Sequence, residues 1–184
     1  MLIFVNDAKY YIFIHIPKNG GCYIRNKLRD DTGNTILTSY WDVTSNFDLA
    51  HIPYRKRAEY IDERIHYNYF TYTRNPYDRV ISAFFYINQN QTIEAFKEFV
   101  KNILITYEFP LTFDAGQIHY YPQYLFLCDE NGNIGNIQIT KLESCENPTN
   151  YDLLKYYDKE SIDIINRIYE KDFAVCKYEM YNGI

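Results

Sequence analysis

The sequence lacks several features that would assign it to a broad class of proteins. No apolar run approaches the roughly 20 residues that a membrane-spanning helix needs. Residues 2–5 are too short for a secretory signal, and Asn6 and Asp7 follow them at once. A net charge of −5 leaves no broad basic surface for nucleic acid. We therefore expect a cytoplasmic chain without a membrane span or nucleic-acid partner, in which any anion site is a local pocket.

Cysteine is also scarce. The four cysteines, Cys22, Cys128, Cys145 and Cys176, match neither the spacing of zinc ligands nor a dense disulfide framework. Free thiols in a reducing compartment are therefore predicted. No carboxylate and hydroxyl pair stands beside the first glycine-bearing turn to hold magnesium, and no metal site is predicted.

What the chain does have is enough apolar material for one packed domain. With 184 residues, 47% of them hydrophobic, we expect a single domain over residues 1–184. Apolar periodicity predicts strands at residues 10–16 and 67–73, and helices at residues 21–29, 76–86, 93–103 and 161–170. Strands that alternate with helices favour an α/β sheet that is at least partly parallel.

Other segments give weaker patterns. Residues 3–5 predict a short edge strand or a frayed end, and residues 51–64 a short, mostly exposed helix. Residues 123–127 and 134–139 flank a turn at residues 129–132, which predicts a hairpin. Residues 30–45 are polar and carry no clear pattern.

The chain is organised around residues 10–29, which read YYIFIHIPKNGGCYIRNKLR. A buried strand, a turn and a helix start follow one another, and glycine lets the turn backbone approach a ligand closely. The first helical N–H groups have no partner of their own, so they suit a phosphate or sulfate ester. A plain strand-turn-helix junction is the alternative. The predicted anion loop consists of Pro17, Lys18, Asn19, Gly20, Gly21 and Cys22.

A Walker A loop is a further alternative for the same stretch. That motif places lysine after its second glycine, followed by Ser or Thr for magnesium. Here Lys18 precedes the glycines, and Cys22 stands where a hydroxyl is wanted. The order of residues argues against a magnesium-dependent nucleotide hydrolase or kinase.

A second strand-turn-helix unit resembles the first. Arg74 lies where the second predicted strand ends, which is where open α/β sheets bind ligands. Ser82 lies eight residues further, on the following helix. A guanidinium fork and a hydroxyl can converge on one phosphate, unless Arg74 pairs with Asp78 and Ser82 only packs. Two such units suggest a ligand with two separated anionic groups.

These two motifs together resemble a known family. FIHIPKNGG and FTYTRNPYDRVISAFFY are similar to the HIPKTGGT and RNPxxRxxS motifs of sulfotransferases that use 3′-phosphoadenosine 5′-phosphosulfate (PAPS), in particular the carbohydrate branch. The similarity continues through Glu143, Tyr169 and the Asp172-Phe173 pair, and covers residues 11–173. The resemblance implies a P-loop-like three-layer α/β fold, with a mostly parallel central sheet flanked by helices.

The resemblance also implies residue roles. Pro17, Lys18 and the backbone from Asn19 through Gly20 and Gly21 to Cys22 would hold the 5′-phosphosulfate. Arg74 and Ser82 would hold the 3′-phosphate. The family usually has Thr or Ser in place of Cys22 and Thr in place of Asn19. A hydroxyl contact is therefore missing, which leaves open a module that binds PAPS or its desulfated product without transferring sulfate.

The catalytic hypothesis is sulfuryl transfer to a hydroxyl of a carbohydrate or similar acceptor. Lys18 would neutralise charge on the leaving oxygen, and His51 is the candidate base because histidine titrates near neutral pH. An ordinary loop histidine is the alternative for His51. His119, Gln123 and Arg55 are expected on the acceptor side. His15 is expected to point across its strand and support the loop.

Overall fold

The computed structural model describes residues 1–145 and 151–182 of the chain. Seven strands are present in the described residues: β1 (Leu2–Asn6), β2 (Lys9–Ile14), β3 (Thr35–Ser39), β4 (Val43–Thr44), β5 (Phe47–Asp48), β6 (Tyr67–Thr73) and β7 (Ile137–Lys141). Five of them form the central sheet, in the order β3-β1-β2-β6-β7, and β4 and β5 form a separate two-stranded ribbon. Strands β2, β6 and β7 are parallel to one another, and β1 runs antiparallel to both β2 and β3. The prediction of an α/β protein with a mostly parallel central sheet is confirmed.

Residues 3–5 belong to a strand, as one of the two predictions had it, but strand β1 is not at an edge of the sheet. It lies between β3 and β2, with Leu2 opposite Phe13. The chain returns from β1 to β2 through Asp7 and Ala8, which have φ values of 46° and 58°. Two positive φ values match the twist of a tight hairpin. Alanine is an unusual residue for that conformation, so the sequence carried no turn signal there.

The predicted hairpin over residues 123–139 was also wrong. Residues Tyr124–Leu127 form a one-turn helix, α4, and the strand that follows pairs in parallel with β6. Between the two flanks only a bridge from Cys128 to Ile134 is present in the described residues. The helical conformation of residues 124–127 is caused by a residue that is distant in sequence. Both carboxylate oxygens of Asp172 accept backbone N–H groups, from Gln123 at 2.7 Å and Tyr124 at 2.8 Å, which stabilises a helical start.

The remaining helices follow the predicted pattern with two corrections. Asn75 caps α2 (Pro76–Ile87) by accepting from the Tyr77 N–H, and Thr92 caps α3 (Ile93–Asn102) by accepting from the Ala95 N–H. The segment predicted as one helix over residues 51–64 contains only 3₁₀ turns, at Leu49–His51 and Tyr54–Glu59, because the second of these buries no residue that could hold a longer helix. The predicted last helix is two helices that meet at Tyr169. The helices besides α4 are α1 (Gly21–Asp30), α2 (Pro76–Ile87), α3 (Ile93–Asn102), α5 (Leu153–Tyr156), α6 (Lys159–Ile168) and α7 (Glu170–Cys176).

The core is divided among three apolar clusters. Side chains alternate along β2, so that Phe13 packs with Ile24 of α1, whereas Ile12 and Ile14 join a cluster that includes α4. A third cluster joins α2, α3 and α6. Within residues 1–145 and 151–182, no helix has the length and apolar character needed to cross a bilayer.

The buried side chain of Gln123 joins both motif loops. Its Oε1 accepts from Asn19 Nδ2 at 2.8 Å and from the Arg74 N–H at 3.0 Å, and its Nε2 donates to the Arg74 carbonyl at 2.8 Å. Gln123 is fully buried, and Asn19 also donates to the Tyr72 carbonyl. Gln123 therefore holds the loop after β2 against the end of β6.

We expect Gln123→Ala to lower the free energy of unfolding by about 3 kcal/mol or more. The truncation leaves a cavity and removes the partners of the buried N–H and C=O groups of Arg74. Urea denaturation measures the change. Gln138→Ala is the matched control, because Gln138 is exposed on β7 and its loss should change the free energy by less than about 0.5 kcal/mol. Equal effects of the two substitutions would contradict the proposed role of Gln123.

Candidate active site

A cavity of about 770 Å³ lies beyond the carboxyl ends of β2 and β6. This is where open α/β sheets bind ligands. The structure brings both predicted motifs to it, together with two of the predicted histidines. Its lining includes Lys18, Gly20, Gly21, Cys22, Arg74, Ser82, His51 and His119.

The first loop presents an open helix N-terminus to this cavity. Lys18 and Gly20 both adopt left-handed backbone conformations, with φ of 66° and 71°, and α1 begins at Gly21. Gly20 makes no side-chain cap, and the first turn of α1 has no acidic residue. The dipole and first N–H groups of α1 are therefore not countered by a local carboxylate, which suits an anion.

Lys18 is the cation of this loop. Its side chain is half-buried, and Nζ lies 3.8 Å from the centre of the Tyr86 ring. Burial and the nearby positive charges of Arg74 and Arg79 lower the pKa of Lys18. The Tyr86 ring offsets part of this effect because an aromatic face attracts a cation. The sequence analysis missed Tyr86, although it lies on α2 one turn beyond Ser82.

The second motif, residues 74–82, contacts the first loop and also contributes side chains to the lining of the cavity. Arg74 Nη1 donates to the Lys18 carbonyl at 3.3 Å, and the half-buried Ser82 lies on the same cavity wall. Arg79 is fully buried, and its Nε donates to the Pro17 carbonyl at 3.0 Å. Arg79 was present in the quoted RNPxxR motif but received no role. It fixes the start of the first loop.

His51 is buried and held in one tautomer. Its Nδ1 lies 2.7 Å from the His15 carbonyl oxygen, which can only accept a hydrogen bond, so Nδ1 carries the proton. The lone pair is therefore on Nε2, which lies 3.7 Å from Asp48 Oδ2. Burial lowers the pKa of His51 to about 3, and His51 is neutral at physiological pH.

Five rings form a continuous band along the cavity, here called the ring wall: Tyr86, His119, His51, His15 and Trp41. Successive ring centres are 5.0, 5.8, 4.4 and 6.0 Å apart. Burial, with the nearby charges of Lys18 and Arg79, lowers the pKa of His119 to about 4, and burial also lowers the pKa of His15. All three histidines of the wall are therefore neutral near pH 7. Trp41 was missed because it lies in the segment without a clear pattern.

The ring of His15 explains the glycine that starts α1. A Cβ atom at Gly21 would lie 1.8 Å from both Cδ2 and Nε2 of His15, which no packing tolerates. The second glycine of the motif is thus needed for the histidine of the same motif. The expectation that His15 supports the loop agrees with this contact.

Two residues predicted on the acceptor side lie elsewhere. Gln123 is fully buried in the network described above. Arg55 Nη2 lies 2.7 Å from Cys128 Sγ, and its guanidinium packs near the Phe113 ring. Neither side chain lines the cavity. His119 does line it, between Tyr86 and His51.

The cysteines and acidic residues, together with the histidines, are the side chains that could ligate a metal. In the described part of the chain, no group of three or more His, Cys, Asp or Glu side chains could hold a metal ion. All four cysteines are free, and Cys22 is exposed at the second residue of α1. That the site works without a metal stays a prediction.

Comparison with known proteins identifies the family of the chain. No curated protein and no solved structure matches the chain. Residues 2–156, which contain both motif loops and all five rings of the wall, match the model of the sulfotransferase family. The chain belongs to the sulfotransferase family.

Proposed function

We propose that the protein transfers a sulfuryl group from PAPS to a hydroxyl of a carbohydrate or similar acceptor, by in-line displacement and without a metal. The observation that carries this proposal is the meeting of two cationic half-sites, Lys18 at the open start of α1 and Arg74 with Ser82, in one cavity. We also propose that residues 1–184 form one sulfotransferase-like domain with a P-loop-like, three-layer arrangement.

The residues of the cavity fit the two anionic ends of the donor. Lys18 and the N–H groups of the α1 start would hold the 5′-phosphosulfate, and Arg74 and Ser82 would hold the 3′-phosphate. Cys22 has no oxygen for a hydroxyl contact, but its backbone N–H lies in the first turn of α1 and can still donate. Bound PAPS would supply the sulfuryl group itself.

The protein groups would act by position and charge. Sulfuryl transfer resembles phosphoryl transfer, in which orientation and charge stabilisation supply most of the rate. Lys18, held over Tyr86, would stabilise the negative charge that develops on the leaving oxygen. His51 would accept the hydroxyl proton at Nε2, the ring nitrogen left free by the bond to the His15 carbonyl.

A module that binds the nucleotide without transfer is the second candidate. The exposed thiol of Cys22 in place of the hydroxyl usual in the family favours it. Both candidates require the nucleotide site, and only the first requires turnover. The experiments below therefore separate binding from rate.

We expect 3′,5′-ADP to bind more tightly than 5′-AMP, because only the former has the 3′-phosphate for Arg74 and Ser82. A hydrogen bond to a charged group contributes about 1.5–3 kcal/mol, so Arg74→Ala should weaken 3′,5′-ADP binding about tenfold to a hundredfold. Ser82→Ala should also weaken 3′,5′-ADP binding, but by a smaller factor. Calorimetry gives both affinities. The binding of 5′-AMP serves as the internal control, since Ser82→Ala should leave it unchanged and Arg74→Ala, which also removes the bond to the Lys18 carbonyl, should weaken it far less than the binding of 3′,5′-ADP. Equal affinities of the unmodified protein for the two nucleotides would exclude the 3′-phosphate assignment.

We expect Lys18→Ala to lower kcat by about 10²–10³-fold, because its charge acts chiefly in the transition state. Binding of 3′,5′-ADP should stay measurable through Arg74 and Ser82. Initial rates with a hydroxyl acceptor, combined with calorimetry, test both statements. Lys27→Ala is the matched control: Lys27 is exposed at the far end of α1, and its loss should not alter the rate. A Lys18→Ala enzyme with normal kcat would remove Lys18 from the mechanism.

We expect His51→Ala to lower the rate about 10²–10⁴-fold while it spares 3′,5′-ADP binding. A base whose pKa is lowered from 6.5 to about 3 stays unprotonated in mild acid. With PAPS saturating and the acceptor well below saturation, the rate of the unmodified enzyme should therefore stay level from about pH 7 to about pH 5 and fall only at lower pH, as His51 takes up a proton. In His51→Ala this acidic limb should be absent. An acidic limb near 6.5, or an unchanged rate in the variant, would contradict the assignment.

A further inference from the structure

We infer that the acceptor is a small uncharged ring compound, a neutral sugar or a phenol, that stacks on Trp41 with its hydroxyl toward His51. This inference rests on the proposed function and specifies its acceptor. It starts from the distribution of charge along the cavity, which differs between the two ends.

The cations of the described lining belong to the donor end. Lys18 and Arg74 are the half-site cations, whereas the wall from His119 through His51 and His15 to Trp41 carries no charge near pH 7. Within the described lining, the one acidic side chain is Asp48, beside His51. A carboxylated or sulfated acceptor would therefore meet a carboxylate at this end and no accessible cation.

Arg25 is a further cation near this end, but it is not available to a ligand. Its guanidinium lies 4.4 Å from the centre of the Trp41 ring, and its side chain is 1% exposed. Its Nη1 donates to the Met1 carbonyl and its Nη2 to Ser39 Oγ. Arg25 therefore supports Trp41 from beneath the surface and does not line the cavity.

Trp41 offers an apolar surface to whatever enters. It is 49% exposed and lines the cavity together with Val43, which is 65% exposed. Pyranose rings and phenols both have an apolar face that packs on an indole, and their hydroxyls can reach a neutral imidazole. Because the donor must share the same cavity of about 770 Å³, the space that remains beside it suits one ring of the acceptor.

The protein contains its own reporter for this site, because Trp41 is the one tryptophan of the 184 residues. The full chain, saturated with 3′,5′-ADP, is titrated with methyl β-glucopyranoside, with phenol and with methyl β-glucuronide. Tryptophan emission is excited at the red edge, where tyrosine does not absorb. The glucoside and the glucuronide have the same ring and differ in one charged carboxylate. We expect a saturable change in emission with the glucoside, with phenol or with both, and binding of the glucuronide at least about tenfold weaker than that of its neutral partner.

Substitutions at Trp41 and Asp48 distinguish the contribution of ring stacking to acceptor affinity from the contribution of charge. By calorimetry, Trp41→Phe should keep the affinity for the preferred neutral probe within about threefold, whereas Trp41→Ala should lose about tenfold or more, since only phenylalanine retains an aromatic face. Asp48→Asn should narrow the difference between glucuronide and glucoside, because it removes the carboxylate while its amide oxygen can still accept from the Ala50 N–H.

The outcomes distinguish this inference from the proposed function. If 3′,5′-ADP does not bind, the result contradicts the proposed function, and with it the acceptor inference that rests on that function. If 3′,5′-ADP binds but neither neutral probe changes Trp41 emission at saturating concentration, the acceptor inference alone is overturned. A glucuronide that gives a saturable response with an affinity equal to that of the preferred neutral probe, or a Trp41→Ala variant that binds this neutral probe normally, overturns it as well. A response to the pyranoside alone identifies a sugar acceptor, and one to phenol alone identifies a phenolic acceptor.

Discussion

One side-chain amide sets the geometry on which the rest of the site depends. Gln123 bonds Asn19 in the first loop and both backbone groups of Arg74 at the end of β6. These bonds are buried, where a satisfied polar network is strong and a broken one is costly. The separation of the two cationic half-sites is thus determined by a residue that does not line the cavity. Asp172 completes the arrangement, because it holds the backbone of Gln123 from α7.

Burial divides the cavity into two electrostatic regions. Lys18 and Arg74 remain the cationic end even though burial and their mutual repulsion lower the pKa of Lys18. Along the ring wall the same burial removes charge, since a buried imidazole is more stable neutral than protonated. Burial therefore removes the charge of the imidazoles but not that of Lys18, because an amine normally titrates well above neutral pH and an imidazole titrates near it. The Tyr86 ring lies at the boundary, where it contacts both Lys18 and His119.

The sequence predicted those parts of the fold and site that depend on local patterns. Strand β6, the two helices that follow it, and the order of Lys18 and the glycines are all properties of short segments. The errors involve long-range contacts. Residues 124–127 became helical because of Asp172, which lies 49 residues beyond Gln123, and no local pattern records that bond. Trp41 was missed for a similar reason, since its packing on His15 and Arg25 is established only by the folded sheet.

The contact between Gly21 and His15 couples two positions of the motif through shape alone. An imidazole at position 15 excludes every side chain at position 21, and the backbone of His15 also fixes the tautomer of His51. Across the family, these two positions should covary: a chain with a larger residue in place of Gly21 needs a smaller one in place of His15. An invariant glycine at this position of an alignment would therefore reflect the space that the neighbouring imidazole ring occupies. It would not by itself show how tightly the loop binds an anion.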